Sequence, residues 1–128
     1  EIDMYQWVVH FPEIEGNGGA ALRNDINLIR LCKDKWAFYE RLRAVGLPCV
    51  IDSSLDAEFE ALKNRFGLPF LLKPRRGFGS KGIVKVDGMD TFWKFQKDIG
   101  PVLMAQPIVG SDDEEYTISA FGDGLGGF

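Results

Sequence analysis

Cysteine and histidine are scarce: the 128 residues hold only Cys32, Cys49 and a single histidine, His10. Neither cysteine stands in a Cys-x-x-Cys or metal-like spacing, so a disulfide framework and a His-rich metal site are excluded, and both thiols are expected to be reduced and in the core. Long apolar runs are missing too. No window approaches the roughly 18–20 continuous apolar residues of a membrane span, and residues 1–6 lack the basic-then-apolar layout of a signal peptide. The expected location is the cytoplasm, with no membrane partner. Internal repeats and low-complexity tracts are absent. Acidic residues are missing from one long stretch: none lies between Glu60 and Asp87, while Lys63, Arg65, Lys73, Arg75, Arg76, Lys81 and Lys85 all do.

What is present describes one α+β domain. The chain is 45% hydrophobic and 27% charged, and at this length roughly two thirds of the unfolded surface is buried on folding, enough for a core without disulfides or a structural metal. The net charge of −4 argues against nucleic acid as a partner. Charge is nevertheless segregated, with the basic window followed by the acidic run Asp112, Asp113, Glu114 and Glu115. Both ends read as cut: residues 7–11 have strand character before a Gly-rich loop over 12–21, and the turn at Gly122-Asp123-Gly124 has no return strand. A piece of a longer polypeptide is expected.

Periodicity predicts a short helix through Ile26, Ile29, Leu31 and Cys32, capped by Asn24 or Asp25. A second helix follows the N-cap Asp34 and carries Trp36, Phe38, Tyr39, Leu42 and Val45 until Gly46 and Pro48 end it. Next come a strand over 48–51, a helix over 55–66 capped by Ser53 or Ser54, a strand over 69–72, a loop over 73–82, a strand over 83–86 and a helix over 90–97. Strands over 102–104 and 116–121 complete the pattern.

Chemistry is concentrated in Lys73-Pro74-Arg75-Arg76-Gly77-Phe78-Gly79-Ser80-Lys81-Gly82. Gly77, Gly79 and Gly82 match G-x-G-x-x-G, but a dinucleotide fingerprint opens a helix, and here the β-branched Ile83-Val84-Lys85-Val86 follows. Nor is it a Walker A loop, since the Gly-Lys spacing differs and no Ser or Thr follows the lysine. A glycine-rich flap between two strands remains, able to bring backbone N–H groups to phosphate oxygens, with Lys73 as a point charge on the same anion. A basic hairpin with glycines serving turn geometry alone is the competing reading. The segment 104–110 contains Pro107, which removes a backbone donor and is expected to keep this connection out of central pairing; its free backbone groups suit an adenine edge. Glu115 suits ribose hydroxyls. Lys35, directly after a cap, opposes the helix dipole at a cost of about 0.3–1 kcal/mol, which invites a functional reason.

Asp34-Lys35, the strand Phe70-Leu71-Leu72-Lys73-Pro74 leading into Gly77-x-Gly79-Ser80-Lys81-Gly82, the segment Gln106-Pro107-Ile108-Val109-Gly110, and Glu115-Tyr116-Thr117 together resemble the ATP-grasp superfamily in order and spacing. Over residues 25–121 the sequence looks most like the large subunit of carbamoyl-phosphate synthase and its stand-alone relatives. The resemblance implies the small nucleotide-binding lobe of that fold, an antiparallel sheet covered by helices. Lys35 and Lys73 would contact phosphates, Gly79, Ser80 and Gly82 would close over them, and Ile83 would lie near the base. Gln106, Pro107 and Ile108 would offer backbone groups to adenine, and Glu115 would hold the ribose. Family enzymes activate a carboxylate or bicarbonate as an acyl phosphate, which an amine or similar nucleophile attacks, with Mg²⁺ and cations neutralising the phosphates.

The family's magnesium ligands, an acidic pair and an Asn on the other lobe, have no counterpart, so Mg²⁺ is expected only with that lobe and the chain carries no catalytic residue of its own. Gln106 stands where an acidic residue is usual. The resemblance divides the chain into a remnant strand and linker, 1–24, and the lobe, 25–128. It implies an ATP-dependent ligase as the parent protein, inactive as this piece alone, with ATP and small carboxylate and amine substrates as partners. Self-association through the surface left by the absent lobe is a further expectation. A non-catalytic nucleotide-binding or regulatory module is the alternative, and an interaction domain using the basic flap for another anion is a third reading.

Overall fold

The computed structural model of the protein describes residues 12–13, 15–18, 24–47, 50–111, 113 and 116. Their elements run α1 (Ile26–Lys33), α2 (Lys35–Ala44), α3 (Phe59–Phe66), β1 (Phe70–Pro74), β2 (Val84–Val86), α4 (Met89–Phe95), a 3₁₀ turn (Gln96–Asp98) and β3 (Leu103–Pro107). The strands form one antiparallel sheet in the order β2-β1-β3, so the expected α+β architecture holds. No helix of the described residues is long and apolar enough to cross a membrane.

Side-chain alternation on β1 divides the molecule. Phe70 and Leu72 point to one face and are completely buried, with cross-strand partners Val86 and Val84 on β2 and Pro107 and Ala105 on β3. Phe59 and Leu62 of α3 and Phe92 of α4 close this face together with Ile99 and Leu103. Phe59 and Phe92 pack with ring centroids 5.4 Å apart, and Phe70 meets Phe92 edge-on at 6.5 Å, arrangements that suit the ring quadrupoles. The other face carries Leu71, Lys73, Met104 and Gln106, and turns toward α2.

Several boundaries differ from the sequence reading. The loop expected over 12–21 includes helical backbone at Pro12, Glu13, Glu15 and Gly16. Residues 50 and 51, expected in a strand, have no regular structure. The helix expected from residue 55 begins only at Phe59, and neither Ser53 nor Ser54 caps it. Ser54 instead exchanges two backbone hydrogen bonds with Ala105, at 2.9 and 2.8 Å, while its hydroxyl accepts from the Asp56 N–H and Asp56 in turn accepts from the Glu58 N–H. These local bonds satisfy backbone donors ahead of the helix, and residues 55–58 stay without regular structure. Lys73 and Pro74 belong to β1, not to the following loop. Cys32, expected in the core, is exposed, because α1 buries none of its residues.

The largest correction concerns Pro107, which lies inside β3 opposite Phe70. Ala105 spends its backbone groups outward on Ser54, so by alternation those of Met104 and Gln106 face β1 and the missing donor of Pro107 faces outward. A proline there removes no ladder bond, which is why the strand extends through residues expected to form a connection. Strand 7–11, Cys49, Glu115 and residues 117–121 lie outside the described residues.

Asp52 ties the edge segment to two helices. It accepts from the Tyr39 hydroxyl at 2.8 Å and from Arg65 through both oxygens, at 2.8 and 2.7 Å. The Arg65 hydrogen bonds outweigh partial burial, and Tyr39 adds to them, so the Asp52 carboxyl falls from 3.8 to about 2. A depressed acid stabilises the fold fully above its unfolded pKa and ceases to do so as pH falls through the folded one. Thermal melts are therefore expected to show wild type above Asp52→Asn at neutral pH, with the difference vanishing between about pH 4 and 2; the pair is half exposed, so the gap is small. In denaturant titrations, Leu72→Ala is expected to lose about 2–5 kcal/mol, the range for emptying a close-packed core position.

Candidate functional site

Asp34 starts α2 as its N-cap, accepting from the backbone N–H groups of Trp36 at 3.0 Å and Ala37 at 3.5 Å. The same carboxylate receives a two-pronged contact from Arg75, Nε to Oδ1 at 3.1 Å and Nη2 to Oδ2 at 2.7 Å, while Arg75 Nη1 donates to the Gly100 carbonyl. Backbone bonds run in parallel: Lys35 N–H to the Arg75 carbonyl and Arg75 N–H to the Val102 carbonyl, both 2.8 Å. Burial pushes the Asp34 carboxyl up, but hydrogen bonds from Arg75, Trp36 and Ala37 pull it lower overall. The carboxylate is thus held charged at the positive end of the helix.

This anchoring sets Lys35 beside the root of the glycine loop, where its Nζ donates to the Gly77 carbonyl at 2.8 Å. Lys73 enters the same space from β1. Its pKa lies below the ordinary lysine value, chiefly because burial disfavours the charged form and secondarily because Lys35 repels it. Two ammonium groups share a partly dry site in which any anion interacts more strongly than in bulk water.

The lysines border two cavities. One, about 230 Å³, is lined by Lys35, Lys73, Pro74, Gly77, Phe78, Gly79, Ser80, Lys81 and Ile83. The other, about 540 Å³, adds Phe38, Tyr39, Leu42, Leu47, Val50, Ile51 and Gln106 to the pair. One side of the lysines is backbone and glycine, and the other is apolar. Ser80 takes φ 55°, a left-handed conformation costing a non-glycine residue about 1–2 kcal/mol. Gly82, at φ 77°, has no room for a side chain, since a Cβ there meets Pro74 Cγ at 3.0 Å. The loop thus folds back tightly against the end of β1. At its tip Lys81 sits over the Phe78 ring at 5.6 Å.

Of the residues singled out from sequence, Lys35, Lys73, Gly79, Ser80 and Ile83 come together around the smaller cavity, and Gly82 closes its loop. Gln106 lines the larger one; it is buried, and its Nε2 donates to Ser53 Oγ at 2.6 Å. Pro107 is half-buried in β3 and Ile108 is exposed just beyond it. Glu115 is outside the described residues. The linear chain marks Asp34 as a cap and as the neighbour of Lys35, and Arg75 as one cation among several. Their pairing leaves no mark in a linear pattern, and Phe38 and Leu42 read as an ordinary helical stripe.

No protein-family model matches the chain, and a search of curated proteins finds no match. Solved structures share its fold. Carboxyaminoimidazole ribonucleotide synthase from Aspergillus clavatus, complexed with ATP, is similar with a TM-score of 0.57 and 18% identity, over 84% of this chain and 28% of that one. The same kind of enzyme from that organism, with ADP and 5-aminoimidazole ribonucleotide, gives 0.53 and 18%, over 84% and 27%. N5-carboxyaminoimidazole ribonucleotide synthetase from Thermotoga maritima gives 0.51 and 21%, over 76% and 25%. The chain therefore spans about a quarter of the length of the structures it resembles.

Replacing Lys35 by Met is expected to raise the Lys73 pKa by removing the like charge while burial still holds it below the ordinary value. Side-chain NMR titration of the lysines checks this, and an unmoved Lys73 contradicts the shared site. The architecture is a small α+β domain with a three-stranded antiparallel sheet, and it matches in fold one part of those longer solved structures.

Proposed function

We propose that this chain is the small lobe, residues 25–128, of an ATP-grasp ligase, and that it holds ATP in the groove shared by the two cavities. The observation that carries this reading is the convergence of Lys35 and Lys73, from separate elements, beneath one glycine loop. Lys35 and Lys73 neutralise phosphate oxygens as point charges. The backbone of Gly79, Ser80 and Gly82 supplies N–H donors over the same chain of phosphates. Ile83 flanks the base. That similar structures hold ATP or ADP supports nucleotide as the ligand.

Gln106 adds a preference among bases. Ser53 gives its single hydroxyl proton to the Ile51 carbonyl and accepts from Gln106 Nε2, so the Gln106 amide presents Oε1, an acceptor, toward the groove. An amino group on the base satisfies it and a carbonyl does not, which favours adenine over guanine. Because the Gln106 backbone is engaged with β1, base contacts from the main chain fall to Pro107 and Ile108, and the ribose contact to Glu115.

In the whole protein, the carboxylate or bicarbonate oxygen attacks the γ-phosphorus, ADP departs, and an amine or similar nucleophile displaces phosphate from the acyl phosphate. The likeness to carbamoyl-phosphate synthase belongs to this reading, as do a cytoplasmic location, residues 1–24 as a remnant strand and linker, and self-association through the surface where a second lobe would dock. Among the described residues no three of His, Cys, Asp and Glu gather to hold a metal ion, so none of them is given a part in binding Mg²⁺.

Calorimetry tests the reading directly. ATP is expected to bind, Lys73→Ala to weaken it at least ~10-fold, the effect of one charge-assisted contact of about 1.5–3 kcal/mol, and Gln106→Leu to erode the preference for ATP over GTP. Anion binding favours charged Lys73 and so raises its pKa; affinity is therefore expected to be full below the free-state Lys73 pKa and to fall as pH rises through it. Absence of ATP binding both to this chain and to the longer protein containing it would sink the proposal.

A further inference from the structure

Arg75 carries more tethers than any role in a basic loop requires. Its guanidinium grips both oxygens of Asp34 and also the Gly100 carbonyl, its N–H reaches Val102, and its carbonyl receives the Lys35 N–H. Through one residue, the first turn of α2, the exit of β1 and the turn entering β3 are joined. Lys73 lies two residues before Arg75 and is held on the sheet opposite Met104. Lys35 lies one residue after Asp34, with its ammonium on the carbonyl of Gly77, two residues beyond Arg75. Neither Asp34 nor Arg75 lines the cavity under the glycine loop.

We propose that the Arg75–Asp34 ion pair is a positioning device for the polyphosphate site: it fixes the distance between the Lys35 and Lys73 ammonium groups so that both reach one phosphate chain. Two features separate this from a salt bridge that serves stability alone. The pair is largely sheltered, with side-chain exposures of 22% for Arg75 and 11% for Asp34, and the two-pronged geometry constrains orientation as well as distance. It also opposes an existing force. Lys35 and Lys73 repel each other in the anion-free protein, so without the clasp the start of α2 relaxes away from β1. Pre-arranging two like charges before the ligand arrives is what lets a flexible polyanion meet them without a further ordering penalty.

The inference rests on the phosphate-binding reading of the lysine pair, and its test uses variants for which simple charge arithmetic predicts the opposite sign or no change. Asp34→Asn keeps a good N-cap acceptor but removes a negative charge near the site. On charge alone, tripolyphosphate and ATP should bind more tightly and the Lys73 pKa should fall further. If the clasp positions Lys35, both ligands bind at least ~5-fold more weakly by calorimetry, and the Lys73 pKa rises as Lys35 moves away. Arg75→Lys keeps the charge but loses the fork, so charge alone predicts no change, whereas the clasp predicts the same weakening and the same rise; it serves if Asp34→Asn fails to fold. Unchanged or tighter polyphosphate binding, with Lys73 unmoved or lowered, overturns the proposal. If the wild-type chain binds neither ATP nor tripolyphosphate, the nucleotide reading fails, and the Lys73 titration by side-chain NMR, which needs no ligand, still decides whether the clasp sets the lysine spacing.

Discussion

The two-pronged contact between Asp34 and Arg75 holds the site side of the molecule together. A carboxylate at a helix start is already stabilised by the helix dipole and by the first free N–H groups. When that carboxylate also binds the guanidinium at the end of a strand, the direction of the helix becomes tied to the sheet. The opening of α2, the root of the glycine loop and the turn before β3 then move as one unit. Lys35 is delivered by the helix and Lys73 by the strand. Without such a cross-link, two cations drawn into a partly dry groove would separate to lower their repulsion.

The sheet contributes by division of labour. Phe70 and Leu72 belong to an aromatic-rich core, whereas Lys73, one residue out of phase with Leu72, lines the groove on the opposite face. A single strand therefore carries both core packing and the half-buried cation of the groove. Any slip of register by one residue would put Lys73 into the core and Leu72 into the groove, so the core enforces the geometry of the site. Met104, the cross-strand partner of Lys73, is fully buried although it lies on the groove face, and burial of Lys73 beside it disfavours the lysine's charged form.

Much of the fold was legible in the chain because its cues are local. Asp25 and Asp34 are side-chain caps within three residues of what they cap; Gly46 and Gly67 stop helices through their own backbone freedom. The strand around Leu71 announces itself by an apolar run, and the glycine loop by its turn residues and the β-branched run of residues 83–86 that follows it. The misreadings fall where distant pairing decides. Ser54 caps no helix because Ala105 takes its backbone. Pro107 is accepted in a strand because the bond it lacks points away from the neighbouring strand. Cys32 is exposed because it lies on the side of α1 that no described residue covers, and no residue of that helix is buried.

The sequence alone determined the residue types that meet around the glycine loop: a lysine after a helix cap, a lysine leading into a glycine-rich loop, and a basic window free of acids. These were legible because charge, glycine content and spacing are properties of the linear chain. Only the tertiary structure decided that the two lysines share one groove, that Asp34 answers Arg75 as well as its own helix, and that Gln106 lies buried with its amide nitrogen on Ser53. Each of these depends on contacts between residues far apart in sequence. Such contacts are selected by packing of the whole core and leave no periodic trace in the chain.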